Sequence, residues 1–348
     1  MIPVAVLGAT GMVGEQLLAL LAHHPWFRVV EVAASDRSAG QRLGARLGAA
    51  GRALPSSIVE VTLKSLDDAF EAPLVLSALP ADRALEVEAR LAGAGHLVVS
   101  NASAFRADAQ VPLLVPDVNP QHLDLLDAQR TRWGGGSGGI ITNPNCSVAG
   151  LVVALAPLHQ AFGLRSVVVT TLQAISGAGR PGPAAGDLVD NIIPFIGNEE
   201  DKVEREPRKI LGGLVDGAIV GADFTVSATC TRVPVLHGHT ASVSVAFQHD
   251  AKPQEVVQVL RDFASPLTGL GLPTMPRPSI EVLDDEDRPQ PRLDRDLGNG
   301  MTVSVGRIRR CSVQHASFVV LSHNLIRGAA GAALLNAELA VARGWLAR

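Results

Sequence analysis

Along the first hundred residues, short apolar runs alternate with longer segments of helical periodicity. The stretch PVAVLGATGMVGEQLLALLAHHP, residues 3–25, is an apolar run, a glycine turn and a segment whose Leu17, Leu18, Leu20 and Leu21 recur at helical spacing. Further apolar runs follow at RVVEVAA (28–34), APLVLSAL (72–79) and GHLVVSN (95–101), and ADRALEVEARLAGAG (81–95) reads as a helix between the last two. Strands apolar throughout and alternating with helices predict a parallel sheet covered on both faces. Gly/Ser-rich TRWGGGSGG (131–139) predicts a surface loop.

Beyond residue 150 the texture changes. LRSVVVTTLQAIS (164–176), DFTVSATCTRVPV (223–235) and HTASVSVAFQHD (239–250) are rich in β-branched residues with partial alternation, and PQEVVQVLRDFA (253–264) reads as a helix. A second, α+β domain with a mixed or antiparallel sheet is expected. The acidic, proline-rich EVLDDEDRPQPRLDRDLGNG (281–300) offers little apolar surface and predicts a long surface connection. The ending SHNLIRGAAGAALLNAELAVARGWL (322–346) is strongly helical, and a helix there could return to the first domain. The expected limits are 1–146 with 324–348 for one domain and 147–323 for the other.

Composition narrows the class. A chain of 348 residues, 47% hydrophobic, 18% charged and with a net charge of −4, has the balance of a globular protein of about two domains. No apolar run reaches the roughly 18 residues that suggest a membrane span, and MIPVAVLGATGMVG lacks the charged start and cleavage site of a secretory leader, so a cytoplasmic location is expected. Mixed charges and only 3% aromatics argue against a nucleic-acid surface. Cys146, Cys230 and Cys311 form neither an even disulfide set nor a zinc spacing, so a reducing compartment and no metal are expected.

Gly8, Gly11 and Gly14 stand between strand and helix, where a dinucleotide site needs a sharp turn, close backbone approach and helix N–H groups facing a pyrophosphate. In ASDRSAG (34–40), Arg37 flanked by Ser35 and Ser38 suits a 2′-phosphate and hence NADP, while an inward Asp36 would repel it. The alternative is a solvated turn with an exposed Arg37. Cys146 lies between an Asn-Pro-Asn turn and a long apolar run; it is either a small buried hydrophobe or a thiolate nucleophile. NEEDKVEREPRK (198–209) reads without further context as a solvated helical face with i,i+3 and i,i+4 ion pairs.

GATGMVG, ASDRSAG, SNASAFR, TNPNCS, QAISGAG, TRVPVLHGHT and HNLIRGAAG together resemble aspartate-semialdehyde dehydrogenase, especially its archaeal and fungal-type branch, in order and approximate spacing over essentially the whole chain. The resemblance implies an α/β protein with an N-terminal Rossmann-type domain and an α+β catalytic and dimerisation domain, forming homodimers or homotetramers. The family reduces L-aspartyl 4-phosphate to L-aspartate 4-semialdehyde with NADPH and releases phosphate, on the route to lysine, threonine and methionine. It implies Cys146 as the nucleophile that forms a thioester, with a helix start expected to lower its pKa. Cys230 and Cys311 are then expected to be inert core residues. His239, seven residues after Arg232, is implied as the acid/base that takes the thiol proton, with His237 a neighbour on the same strand face.

The resemblance assigns Gln173 to orienting the acyl group and Asn145 to polarising its carbonyl oxygen. Arg232 matches a carboxylate fork, Glu199 (or Glu200) an ammonium partner, and Arg106 and Lys202 the phosphate-site cations. NADP(H) contacts are implied for Gly8, Thr10, Gly11, Met12, Val13, Gly14, Ser35, Arg37, Ser38, Ser77, Leu79, Pro80, Ser176, Gly177, Gly179 and Asn324. Arg180 departs from the family pattern, which commonly carries an aromatic there. It leaves open a malonyl-CoA reductase of the same fold. N-acetyl-glutamyl-phosphate reductase fits less well, and a non-catalytic NADP-binding sensor is a third possibility against which the retained Cys146, Gln173, Arg232 and His239 speak.

Overall fold

The computed structural model describes residues 1–134 and 136–347. The first sheet is wholly parallel, in the order β3 (Leu63–Lys64), β2 (Phe27–Ala33), β1 (Ile2–Leu7), β4 (Leu74–Ser77), β5 (Leu97–Ser100), β6 (Gly139–Thr142). Its apolar runs are continuous because both faces are covered: Val4 and Val6 join one core with Leu17 and Leu18, while Ala5 and Leu7 join another with Val87 and Leu91. The helices responsible are Met12–Leu21 and Ala81–Gly93, and helix Gly331–Ala342 returns from the chain's end to the first of these cores.

The strand order reverses between β1 and β4, the place where open α/β sheets bind ligands. Gly8 leaves β1 at φ +71° with a position for Cβ only 2.5 Å from the Ala78 carbonyl oxygen, so only glycine fits this turn. Gly14 is equally constrained, its Cβ position being 2.2 Å from the Gly8 carbonyl oxygen, which lets the helix start pack on the turn.

A small hairpin, β8 (Gly213–Val215) and β9 (Ala218–Val220), forms a two-stranded sheet of its own. The second large sheet is mixed, in the order β10 (Thr225–Arg232), β7 (Leu164–Gln173), β11 (His239–Phe247), β14 (Ala316–Ser322), β13 (Val303–Arg310), β12 (Ile280–Leu283). Helices Cys146–Phe162, Glu199–Ile210 and Pro253–Arg261 share a core with it through residues such as Leu151, Val203 and Val256 against Val169, Val243 and Val305. The alternate residues of β7, Val168 among them, are half-buried or exposed.

Three expectations need correction. Segment 281–300 is not an open connection: it begins inside strand β12 and holds a short helix, Pro291–Asp294, whose buried Asp294 accepts from Arg288 Nε at 2.8 Å. An ion pair and an edge strand replace the apolar anchoring its composition lacks. Stretch 131–139 is shorter as a loop than expected, since helix Leu125–Arg132 runs into it and β6 starts at Gly139; Gly135 lies outside the described residues. Cys230 is buried in β10, but Cys311 follows β13 half-buried, and N–H groups of Gln314 and Val313 hold its thiol below the usual range. Among the described residues, no helix is long and apolar enough to cross a membrane, and no cluster of potential ligands could hold a metal ion.

Candidate active site

In TNPNCS, proline disfavours helical geometry at Asn143, and Asn145 becomes the cap of helix Cys146–Phe162. Asn145 Oδ1 accepts from Ser147 N–H at 2.9 Å and from Val148 N–H at 3.4 Å. Cys146 is therefore the first helical residue, half-buried in a groove of about 410 Å³ between the two sheets. Gly328 presses on it so closely that a Cβ there would lie 2.9 Å from that of Cys146.

Cys146 Sγ stands 3.2 Å from His239 Nε2. The other ring nitrogen, Nδ1, accepts the Ala174 main-chain N–H at 3.0 Å. A nitrogen facing an N–H presents its lone pair, so the neutral ring carries its proton on Nε2. Burial, with Arg232 and His323 adding to it, pushes the imidazole down to about 3. The resemblance implied that His239 takes the thiol proton; in this tautomer Nε2, the nitrogen that faces the thiol, is a donor. His237 is not on a strand with His239; it lies in the preceding turn, bonded through Nδ1 to Ser176 Oγ at 2.9 Å and stacked on His323.

The thiol departs from expectation as well. Burial, followed by the negative charge of Glu199, pushes Cys146 up to about 12, against the opposing pull of Arg106, Arg232 and Lys202. Desolvation and a neighbouring carboxylate outweigh the helix end.

Helix Glu199–Ile210 supplies the polar wall. Glu199 accepts from Asn145 Nδ2 at 2.7 Å, Lys202 Nζ at 2.8 Å and Gln173 Nε2 at 3.2 Å. Burial opposes its charge, but these donors and the Lys202 charge prevail and hold its pKa below the ordinary value. Glu200 instead accepts the Cys230 N–H at 3.1 Å, so Glu199 is the carboxylate at the site. Asn145 lines the groove with its Oδ1 given to the cap and one N–H of Nδ2 to Glu199. Among the described first-turn donors, the N–H of Cys146 itself is left unspent by these bonds, which suits an oxyanion.

Gln173 ends β7 beside Arg232 at the end of β10, and the buried Arg232 donates from Nη1 to the Ala174 carbonyl at 2.7 Å. Arg106 donates from Nη2 to the Asn101 carbonyl at 2.6 Å and from Nη1 to Glu206 at 3.1 Å, while its buried Nε has no acceptor. Sequence reasoning missed Glu206, Asn101 and Ala174; only the spacing of Glu206 from Glu199, two helical turns, could have signalled the first.

On the nucleotide side, Gly11, Met12, Val13, Ser176, Gly177, Gly179 and Asn324 line the groove. Gly177 leaves room for the His239 and Arg232 side chains, since a Cβ there would be 2.8 Å from His239 Cε1 and 2.9 Å from Arg232 Nη1. Asn324 donates to Ser176 Oγ at 2.9 Å and accepts Gly238 N–H at 2.9 Å. Gly8, Thr10 and Gly14 shape the turn behind the lining. Ser35, Arg37 and Ser38 follow β2 and are not in the groove's lining, Ser35 and Arg37 exposed and Ser38 buried; the side chain of Asp36 lies outside the described residues. At the end of β4 the expectation shifts by one position: Ser77 and Leu79 are buried and Pro80 is exposed, while Ala78 and Ala81 line the groove.

Comparison with known proteins finds relatives along nearly the whole chain. Residues 3–126 match the semialdehyde dehydrogenase NAD binding domain and residues 155–327 the semialdehyde dehydrogenase dimerisation domain. The aspartate-semialdehyde dehydrogenase of Archaeoglobus fulgidus is 47% identical over 97% of both chains, and that of Cryptococcus neoformans 46% identical over 99% of this chain and 98% of its own. The crystal structure of the Candida albicans aspartate semialdehyde dehydrogenase with NADP superposes with a TM-score of 0.92 at 42% identity, covering 99% of this chain and all of that one. By fold, by length matched and by sequence, the chain belongs to the aspartate-semialdehyde dehydrogenase family.

Proposed function

We propose that the chain reversibly reduces L-aspartyl 4-phosphate to L-aspartate 4-semialdehyde and phosphate with NADPH, through a thioester on Cys146. The observation that carries this reading is the Cys146–His239 pair, 3.2 Å apart, in a groove bordered by the Gly11–Val13 turn on one side and by Arg106 and Lys202 on the other. The residues fit a dinucleotide: a helix start approached by glycine-permitted backbone, and an exposed Arg37 after β2 for a 2′-phosphate. When bound, NADPH supplies the hydride.

The chain's own residues do the rest. Arg232, held by the Ala174 carbonyl, presents a buried guanidinium for the substrate carboxylate, and Glu199 faces the ammonium group. Arg106 and Lys202, both lining the groove, receive the phosphoryl group. The Cys146 sulfur displaces phosphate from the acyl carbon, its thiol proton leaving on the departing phosphate, while Gln173 orients the acyl group and the Cys146 N–H with His239 Nε2–H stabilises charge on its oxygen. Ser176, Gly177, Gly179 and Asn324 border the nicotinamide half.

The matched dimerisation domain and the uncovered face of β7 support a homodimer or homotetramer, and a cytoplasmic biosynthetic role goes with the same reading. Domain limits of 1–146 with 324–348 and 147–323 accord with the return of helix Gly331–Ala342 to the first core. The test is oxidation of L-aspartate 4-semialdehyde with NADP and phosphate varied independently. The rate should require both and vanish in Cys146→Ala. Saturation without phosphate, replacement of phosphate by coenzyme A, or equal use of NAD would overturn the assignment.

A further inference from the structure

We propose that Glu206 and Lys209 are positioning residues of the anion site: they fix Arg106 relative to Cys146 and thereby set the affinity for phosphate. The inference rests on the reading of Arg106 as a phosphate-site cation.

Glu199, Lys202, Glu206 and Lys209 fall at i, i+3, i+7 and i+10 of one helix, so they share a face, while Asp201 and Arg205 pair on the exposed side at 2.9 Å. The inward face thus divides into two pairs. The first reaches into the groove. The second is spent on protein: Glu206 Oε2 accepts the Asn145 N–H at 2.6 Å, immediately before Cys146, and its Oε1 accepts Arg106 Nη1 at 3.1 Å. One buried carboxylate therefore spans the distance from the nucleophile's turn to the cation, through two charge-assisted bonds.

Lys209 works from the loop side. Its three N–H groups go to the carbonyls of Arg106 at 2.7 Å, Asp108 at 2.5 Å and Val111 at 2.8 Å. An ammonium has no fourth donor, so Lys209 binds no anion although it borders the adjoining cavity of about 490 Å³. It instead folds the loop that carries Arg106. With one N–H of Nη1 and one of Nη2 committed, the guanidinium has one orientation, and three of its five N–H groups, the buried Nε–H among them, are not used by these bonds.

The sign of the effect separates positioning from charge. Glu206 is an anion beside an anion site, so on charge alone its neutralisation tightens phosphate binding; positioning requires the opposite. Initial rates of semialdehyde oxidation are measured on the full-length enzyme for Glu206→Gln, Lys209→Met, Arg106→Ala and the Arg106→Ala/Glu206→Gln double variant. Glu206→Gln should raise the phosphate KM about tenfold while the KM values for NADP and semialdehyde stay within about twofold. Lys209→Met should act in the same direction, and the double variant should be no worse than Arg106→Ala, because Glu206 acts through Arg106. An unchanged or lowered phosphate KM in Glu206→Gln, additive losses, or a parallel rise in all three KM values with a fall in melting temperature would overturn the proposal. A normal phosphate KM in Arg106→Ala would instead overturn the phosphate-site reading itself. Should Lys209→Met fail to fold, Glu206→Gln decides alone.

Discussion

At the scale of single residues, the proposed nucleophile Cys146 is quieter than its place at a helix start suggests. A thiol pushed up to about 12 is almost wholly protonated near neutrality, and the main charge responsible after burial is Glu199. Since the folded-state pKa lies above the ordinary one, thiolate forms only as pH climbs toward that value. Iodoacetamide should therefore label Cys146 slowly at about pH 8 and faster with rising pH, with the depressed thiol of Cys311 reacting first, as read by peptide mass. Glu199→Gln should accelerate labelling of Cys146 while impairing turnover, because it removes the carboxylate that raises the thiol. Labelling of the wild-type Cys146 with a midpoint near pH 7 would contradict this. The same scale settles the ring beside it. Nitrogen-15 spectra of histidine-labelled enzyme, with the His239 signals assigned by their loss in His239→Gln, should show an unprotonated Nδ1 and a protonated Nε2 without titration from about pH 6 to 9. A proton on Nδ1 at neutral pH would mean that the Ala174 N–H does not set the tautomer.

Elements differ in how far their sequences announced them. Strands β1, β4 and β5 were legible because a strand covered on both faces leaves an unbroken apolar run, and helix Ala81–Gly93 because one face alone is buried. Strand β13 was not: Ser304 is buried within it while Arg307, Arg309 and Arg310 extend into solvent, so neither apolar continuity nor clean alternation survives. Helix Glu199–Ile210 shows the limit more sharply. Its solvated reading is correct for Asp201 and Arg205, and the family resemblance is what singled out Glu199 and Lys202. Glu206 and Lys209 went unseen because their partners are a distant guanidinium and main-chain groups, and charged side chains that bury themselves against N–H and C=O groups leave no hydrophobic stripe to read. The Cys146 helix was the converse case: its cap, its length and its chemistry all lie in consecutive residues, whereas the tautomer of its partner depends on a peptide contributed by another strand's end.

For the whole molecule, the groove is bridged at one rim by an ion pair. Arg180, from the turn after β7, donates to both oxygens of Glu15 on the nucleotide helix, at 2.5 and 2.9 Å. The arginine side chain is 58% exposed, so the pair contributes little to stability, of the order of 1 kcal/mol or less. Its position matters more than its strength: Gly179 and Arg180 line one wall of the groove and Met12 and Val13 the other, so the bridge ties the rims together where the dinucleotide passes. A tie that stabilises the closed groove without touching the sulfur should slow exchange of the cofactor and leave acylation alone. Arg180→Ala is therefore expected to speed NADP release severalfold in stopped-flow displacement, with the melting temperature changed by no more than about 2 °C and Cys146 acylation unaltered. Salt supplies the independent check, because screening weakens an exposed pair: release from the wild type should accelerate with ionic strength more steeply than release from Arg180→Ala. Equal salt slopes in the two proteins would show that the bridge spans the rims without governing passage between them.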